Sequence, residues 1–244
     1  MSLPPCALEG AQRQTRPRWD YLLDDIREDI ILESQLLLLS FATGIQDAAA
    51  WTEFSCFASN QTGNTLFLAI GVAGLADNAY SFQNIGMSLG SFVAGGLVMG
   101  QMGNQVGVRK RFWLLATSII QTAMVFVAAA IRRYYQGASA ALLALFLLAF
   151  SSGGQVAMSR SLKITEITTA MATAAYVDVV VDPEILQRHN RLRNRRVLFL
   201  AMITAGCFVG AFVMKASNST LTIVLCGVCK VIVTVVFFFS RAIK

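Results

Sequence analysis

Asn60-Gln61-Thr62-Gly63-Asn64-Thr65 is the stretch on which the reading of this chain turns. Six small or amide-bearing residues, none of them charged, stand between apolar segments. Trp51, Phe54 and Phe57 precede them and Leu66-Phe67-Leu68-Ala69-Ile70 follows at once. In water such a run is an ordinary loop. At membrane depth, non-helical backbone is tolerated only where it is buried in protein or lines a cavity, because unpaired polar groups are costly in lipid. The stretch therefore reads as the mouth of a site, with Gly63 leaving the backbone free to turn.

The rest of the chain supplies the membrane context. Hydrophobic residues make up 55%, charged residues 14%, and the mean hydropathy is +0.58. A soluble domain carries about 25% charged residues, and several apolar runs here approach the roughly 20 residues that cross a bilayer. The expected fold class is all-α, a polytopic membrane helical bundle whose first partner is the lipid bilayer. The net charge of +6 lies between the apolar runs, as in cytoplasmic loops, so no nucleic-acid surface is expected.

Taken in order, residues 1–18 hold Pro4, Pro5, Pro17 and several arginines and read as a cytosolic tail. From Trp19, the apolar positions Leu22, Leu23, Ile26 and Ile30 keep helical spacing. They suggest an amphipathic surface helix completing a segment 1–29, or else the cytosolic start of the first span. Residues 30–244 form one transmembrane domain. Full spans are expected at about Ile30–Thr52, Phe82–Val106 and Phe112–Ile131, then at Ala138–Met158, Val197–Met214 and Leu221–Phe239. Glycines of the second span, among them Gly86, Gly90 and Gly96, read as helix-packing positions. A short polar segment follows the first span of each half, at 54–76 and at 164–181, the latter closed by Asp182-Pro183.

The basic residues arbitrate whether the short segments cross. If neither does, sixteen of the 20 lysines and arginines lie on the side of the N-terminus, three lie opposite, and Lys230 falls inside the last span. If both cross, the division weakens to thirteen against six. The positive-inside rule favours six spans plus two short half-crossing segments, with both termini cytosolic. Halves of three spans, about 30–131 and 138–240, are then inverted relative to one another. Interrupted segments at matching positions of inverted halves point to a transporter-like site near the midplane.

Gly44-Ile45-Gln46-Asp47-Ala48 and Phe57-Ala58-Ser59-Asn60-Gln61-Thr62-Gly63-Asn64-Thr65 resemble the hallmark of the YoaK-like multi-pass membrane family, in its fungal form. Ser152-Gly153-Gly154-Gln155-Val156-Ala157 and Glu166-Ile167-Thr168-Thr169-Ala170-Met171 resemble its second-half signature, and Arg193-Asn194-Arg195-Arg196 its basic loop. Ala172-Thr173 stands where bacterial members carry a second Thr-Gly pair. The resemblance implies a multi-pass membrane protein and no particular activity.

Candidate pathway residues follow from cost. Ionisable groups inside spans are expensive and face the protein interior or a water-filled path, which singles out Asp47 and Lys230. Asp47 is the first choice of partner for Lys230 and Asp178 the second. The polar segments add Asn60, Gln61, Thr62, Gly63, Asn64 and Thr65, then Gln155, Glu166, Thr168, Thr169 and Asp178. Arg188, Arg191, Arg193, Arg195 and Arg196 are expected to meet anionic lipid headgroups. Cys226 and Cys229 have the gap of a metal pair, but no second pair or histidine accompanies them, and they read as small apolar packers. No metal or cofactor is expected, and no phosphate loop, zinc pattern or nucleophile elbow suggests an enzyme. The function expected is a secondary transporter or permease for a small molecule or ion; the alternatives are a channel with half-crossing segments, or a membrane scaffold.

Overall fold

The computed structural model describes residues 18–75 and 81–243, with the backbone alone at 18–20. The expected tail, Cys6, the end of the first short segment at Ala76 and Lys244 lie outside these residues. The described elements are α1 (Arg18–Leu23), α2 (Ile30–Phe54), α3 (Gln61–Val72), α4 (Phe82–Val106), α5 (Arg111–Tyr134), α6 (Ala138–Ser161), α7 (Ala172–Val180), α8 (Arg191–Ala216) and α9 (Ser219–Phe239). Among the described residues there is no strand, only two isolated bridges.

Local chemistry starts most of these helices. Asp29 accepts from the Ile31 and Leu32 amides, Asn60 from Gly63, Ser81 from Asn84, Asn190 from Arg193 and Asn218 from Leu221. Each side-chain oxygen satisfies an otherwise orphaned first-turn amide. The Asn190 cap starts α8 at Arg191, six residues before the expected Val197. Arg191, Arg193, Arg195 and Arg196 therefore lie on a helix and not in a loop.

The expected surface helix from Trp19 to Ile30 is corrected. It stops at Leu23, and the following residues run extended. Ile26 N donates to Arg109 O, Arg27 N to Arg241 O, Arg111 N to Asp24 O and Ile243 N to Asp25 O, at 2.8–3.0 Å. Pairing with two distant segments satisfies the backbone groups that a longer helix would have used itself, and it buries Ile26 completely. The segment is a strap that ties together the start of α5 and the end of α9.

Five helices, α4, α5, α6, α8 and α9, are long and apolar enough to cross a membrane. The 25-residue α2 is as long but more polar, carrying Glu33, Gln35, Gln46, Asp47 and Glu53. Its position explains this. It packs along α8 and α9 and touches α6, so Gln35, Ser40, Thr43 and Gln46 are buried in protein.

Two pairings are welded by glycine. A β-carbon on Gly44 would lie 2.3 Å from the Ile203 carbonyl oxygen, and one on Gly206 2.1 Å from that of Phe41, which locks α2 to α8. A β-carbon on Gly95 would lie 2.1 Å from the Phe150 oxygen, and one on Gly153 2.0 Å from that of Phe92, which locks α4 to α6. Small residues allow such backbone approach between membrane helices. α5 packs along α9 and α6, α3 rests on α4, and α7 rests on α8. Gly86 and Gly90, expected at helix contacts, have nothing within 4 Å of a built β-carbon.

Candidate functional site

The sequence-derived candidates fall in three places. The first is a buried seam where α2 meets α6 at mid-length. The Gln46 amide donates to Ser152 Oγ at 2.7 Å and to the Leu148 carbonyl at 3.2 Å. In the reverse direction the Gln155 amide donates to Thr43 Oγ1 at 2.9 Å. Lys230, from α9, donates to Gln155 Oε1 at 2.6 Å and to Ser151 Oγ at 3.4 Å. Cys226 Sγ lies 3.6 Å from Gln46 Oε1, and Ser151 Oγ donates to the Gln121 carbonyl on α5. Lys230 is 2% exposed and makes none of the ion pairs among the described residues.

The expected Asp47–Lys230 pair is therefore corrected. The small-residue face carrying Gly44 and Ala48 does admit a close neighbour, but that neighbour is α8, at Ile203 and Gly210. Lys230 arrives on a different side of α2, through α9. The second choice, Asp178, pairs with Arg196 at 3.5 Å.

The second place is the turn that leads into α3. After Phe54 the chain folds back along α2. The Ala58 and Ser59 amides donate to Asp47 Oδ1 at 3.0 and 2.8 Å, and the Ser59 hydroxyl donates to Oδ2 at 2.5 Å. Asn64 is fully buried and grips Phe57 in both directions. It accepts from the Phe57 amide at 2.9 Å and donates to its carbonyl at 2.8 Å, while also meeting Gln61 Oε1 and Ser88 Oγ. Gln61 donates to the Ala58 carbonyl and to Ser88. Thr65 returns its hydroxyl to the Gln61 carbonyl. A β-carbon on Gly63 would lie 2.9 Å from the Phe57 ring, so any side chain there must push the ring aside. Asn60 and Thr62 are left with exposed side chains. Because Asp47 follows Gln46 directly, this turn reaches the depth of the seam. The Asn84 side chain holds the Phe54 carbonyl, so α4 starts at the end of the bundle where α2 stops.

The third place is the opposite, basic end. Arg195 is enclosed by Glu33 at 2.7 Å, Glu28 at 2.6 Å and Glu166 at 3.3 Å. Arg191 also meets Glu33, and Arg109 donates to the Leu162 carbonyl at 2.7 Å. Arg111, 1% exposed, donates to Tyr21 Oη and to the Phe238 carbonyl. Arg196 faces Asp178 and Asp182. The Glu184 amide and the Asn190 side chain hold the Asp182 carboxyl below the ordinary carboxylate range. Thr168 and Thr169 are buried within their own turn, Thr168 bonding Met171 and both meeting Ser159. Glu166 and Asp178 thus serve arginines at the end of the bundle, far along the helices from Lys230. Of the arginines expected at lipid headgroups, Arg191, Arg195 and Arg196 are ion-paired, Arg193 donates to the Ile185 carbonyl, and Arg188 is exposed.

Sequence reasoning singled out Gln155 and Lys230 but missed Thr43, Gln46, Ser151, Ser152 and Gln121 as members of the site. Thr43 and Gln46 stand in the first Gly-x-Gln motif where Ser152 and Gln155 stand in the second, while Ser151 and Gln121 carry only the signal of a hydroxyl and an amide inside an apolar span.

The family model described as "Protein of unknown function (DUF1275)" matches residues 35–236, in accord with the resemblance carried by the motifs. No curated protein and no solved structure matches the chain.

Proposed function

The chain belongs to the DUF1275 family, and from its geometry we propose that this membrane protein is a secondary transporter of a small solute. Six spans form two inverted halves, and the solute passes through the α2/α6 seam. The observation that carries the reading is the seam itself. Polar groups from α2, α5, α6 and α9 converge at mid-length, deep inside the bundle. Burying such groups is costly, and inside membranes they mark substrate and ion paths.

The inverted halves draw support from the packing. Exchanging α2 with α6, α3 with α7, α4 with α8 and α5 with α9 leaves the set of principal helix pairings unchanged. Gly44 against Ile203 then corresponds to Gly153 against Phe92, and Gln46–Ser152 to Gln155–Thr43. Each welded pair, α2 with α8 and α4 with α6, combines one helix from each half. The seam is the side-chain boundary between these pairs, so rocking one pair against the other opens it to alternate sides. In this reading the basic end faces the cytoplasm, with both termini there, and the exposed Arg188 meets anionic headgroups.

Purified protein reconstituted in vesicles tests the reading with a panel of radiolabelled solutes, with and without a proton gradient. Saturable flux of at least one solute is expected. Flux that never saturates identifies a channel, and no flux of any solute removes the transport reading.

A further inference from the structure

The surroundings of Lys230 narrow the solute class, an inference that rests on the seam being the transport path. Lys230 carries three donor hydrogens, and the seam gives it two neutral acceptors, Gln155 Oε1 and Ser151 Oγ. Every other polar neighbour in the seam is uncharged: Thr43 and Gln46 on α2, Gln121 on α5, Ser152 on α6 and the Cys226 thiol on α9. The nearest carboxylate in sequence to the seam, Asp47, is turned away and held by the 58–59 amides. A buried cation without a counter-ion is expensive, and its cost falls when an anion joins it in a low-dielectric site.

We propose that Lys230, with the amides and hydroxyls around it, is the binding site for a small monovalent anion, a halide-like ion or the carboxylate of a short organic acid. One ammonium and no guanidinium match a single negative charge. The hydroxyls of Ser151 and Ser152 and the amide of Gln155 are donors that can turn toward an anion once the seam opens. The size limit follows from the closure. α2 and α6 meet briefly, through Thr43, Gln46, Ser152 and Gln155, so moving these side chains clears room for a few atoms.

The experiment follows thermal unfolding of the purified full-length protein in detergent at constant ionic strength, with sodium gluconate replaced stepwise by chloride, nitrate, formate or acetate. At least one of these anions should raise the midpoint in a saturable way, as a ligand specific to the folded state does. In Lys230→Met the apparent affinity should fall by about thirtyfold or more, in line with removal of one partner of a buried charge pair. Lys215→Met, the same chemical change at an exposed position, should keep the wild-type response. Gln155→Glu places a permanent carboxylate beside Lys230 and should abolish the anion response while preserving the fold; it decides the matter if Lys230→Met does not fold.

No saturable rise with any of the four anions, or an equal rise in Lys230→Met and Gln155→Glu, overturns the proposal. Vesicle flux separates the two readings. Anion stabilisation lost in Lys230→Met without flux of any solute leaves the site standing and removes the transporter. Saturable flux of a neutral or cationic solute without anion stabilisation does the reverse.

Discussion

Asn64 is the residue on which the turn depends. Its amide uses both donors and its acceptor within the motif, so it has nothing to offer a solute while the turn is intact. Asn64→Leu leaves the Phe57 amide without its partner, at about 1–3 kcal/mol, while the Phe57 carbonyl keeps the Ser88 hydroxyl. We expect Asn64→Leu to lower the unfolding midpoint in detergent and the yield of folded protein. Thr62→Val, at an exposed position, should stay within about 0.5 kcal/mol. Equal stability of the two variants would count against the staple role. Asp47 and Lys230 make a second residue-scale case. They share no contact, so the effects of Asp47→Asn and Lys230→Met on stability should add within about 0.5 kcal/mol in a double-mutant cycle. Recovery in the double variant would restore the ion pair that the geometry excludes.

At the scale of elements, the glycine welds are the feature to test. Gly206 faces the Phe41 carbonyl so closely that even a methyl group requires α2 and α8 to separate. Gly206→Ala should cost about 1–3 kcal/mol, as overpacking does. Gly90, also helical, has open space around it, and Gly90→Ala should be neutral or stabilising by about 0.5–1 kcal/mol through helix propensity. Thermal unfolding of the two variants side by side reads the difference, and similar midpoints would mean that α2 and α8 are not held at this distance. The helix boundaries were legible where a breaker sits in the sequence, as at the 182–183 step. They were missed at Asn190, because the arginines after it resemble a solvated loop when read by charge alone. The strap at 24–28 was also missed. Its apolar spacing is helical, but its hydrogen-bond partners lie some 80 and 215 residues away.

At the scale of the whole molecule, the basic residues gather at one end. The strap, the start of α5, the end of α6, the start of α8 and the end of α9 all meet there. Glu53 and Arg132 join α2 to α5 at the opposite end. With six spans, Arg188→Cys in a cysteine-free background should be shielded from an impermeant thiol reagent applied outside cells, while Tyr135→Cys should be labelled. Labelling at 188 and protection at 135 would reverse the orientation, and equal labelling would break the six-span arrangement.

The all-helical class and the alternation of long apolar helices with short polar segments could be read from the chain alone. These depend on local quantities, such as the length of an apolar run, and local quantities can be read along one chain. Packing alone sets α2 against α8, makes Asp47 the holder of a turn, encloses Arg195 in three glutamates and brings Lys230 to Gln155. Each of these depends on the rotation of a helix about its own axis and on which neighbour stands across from it. A helix apolar on most sides carries little periodicity to set that rotation, so the choice passes to close contacts, glycine against carbonyl and amide against hydroxyl, that exist only once the bundle has assembled.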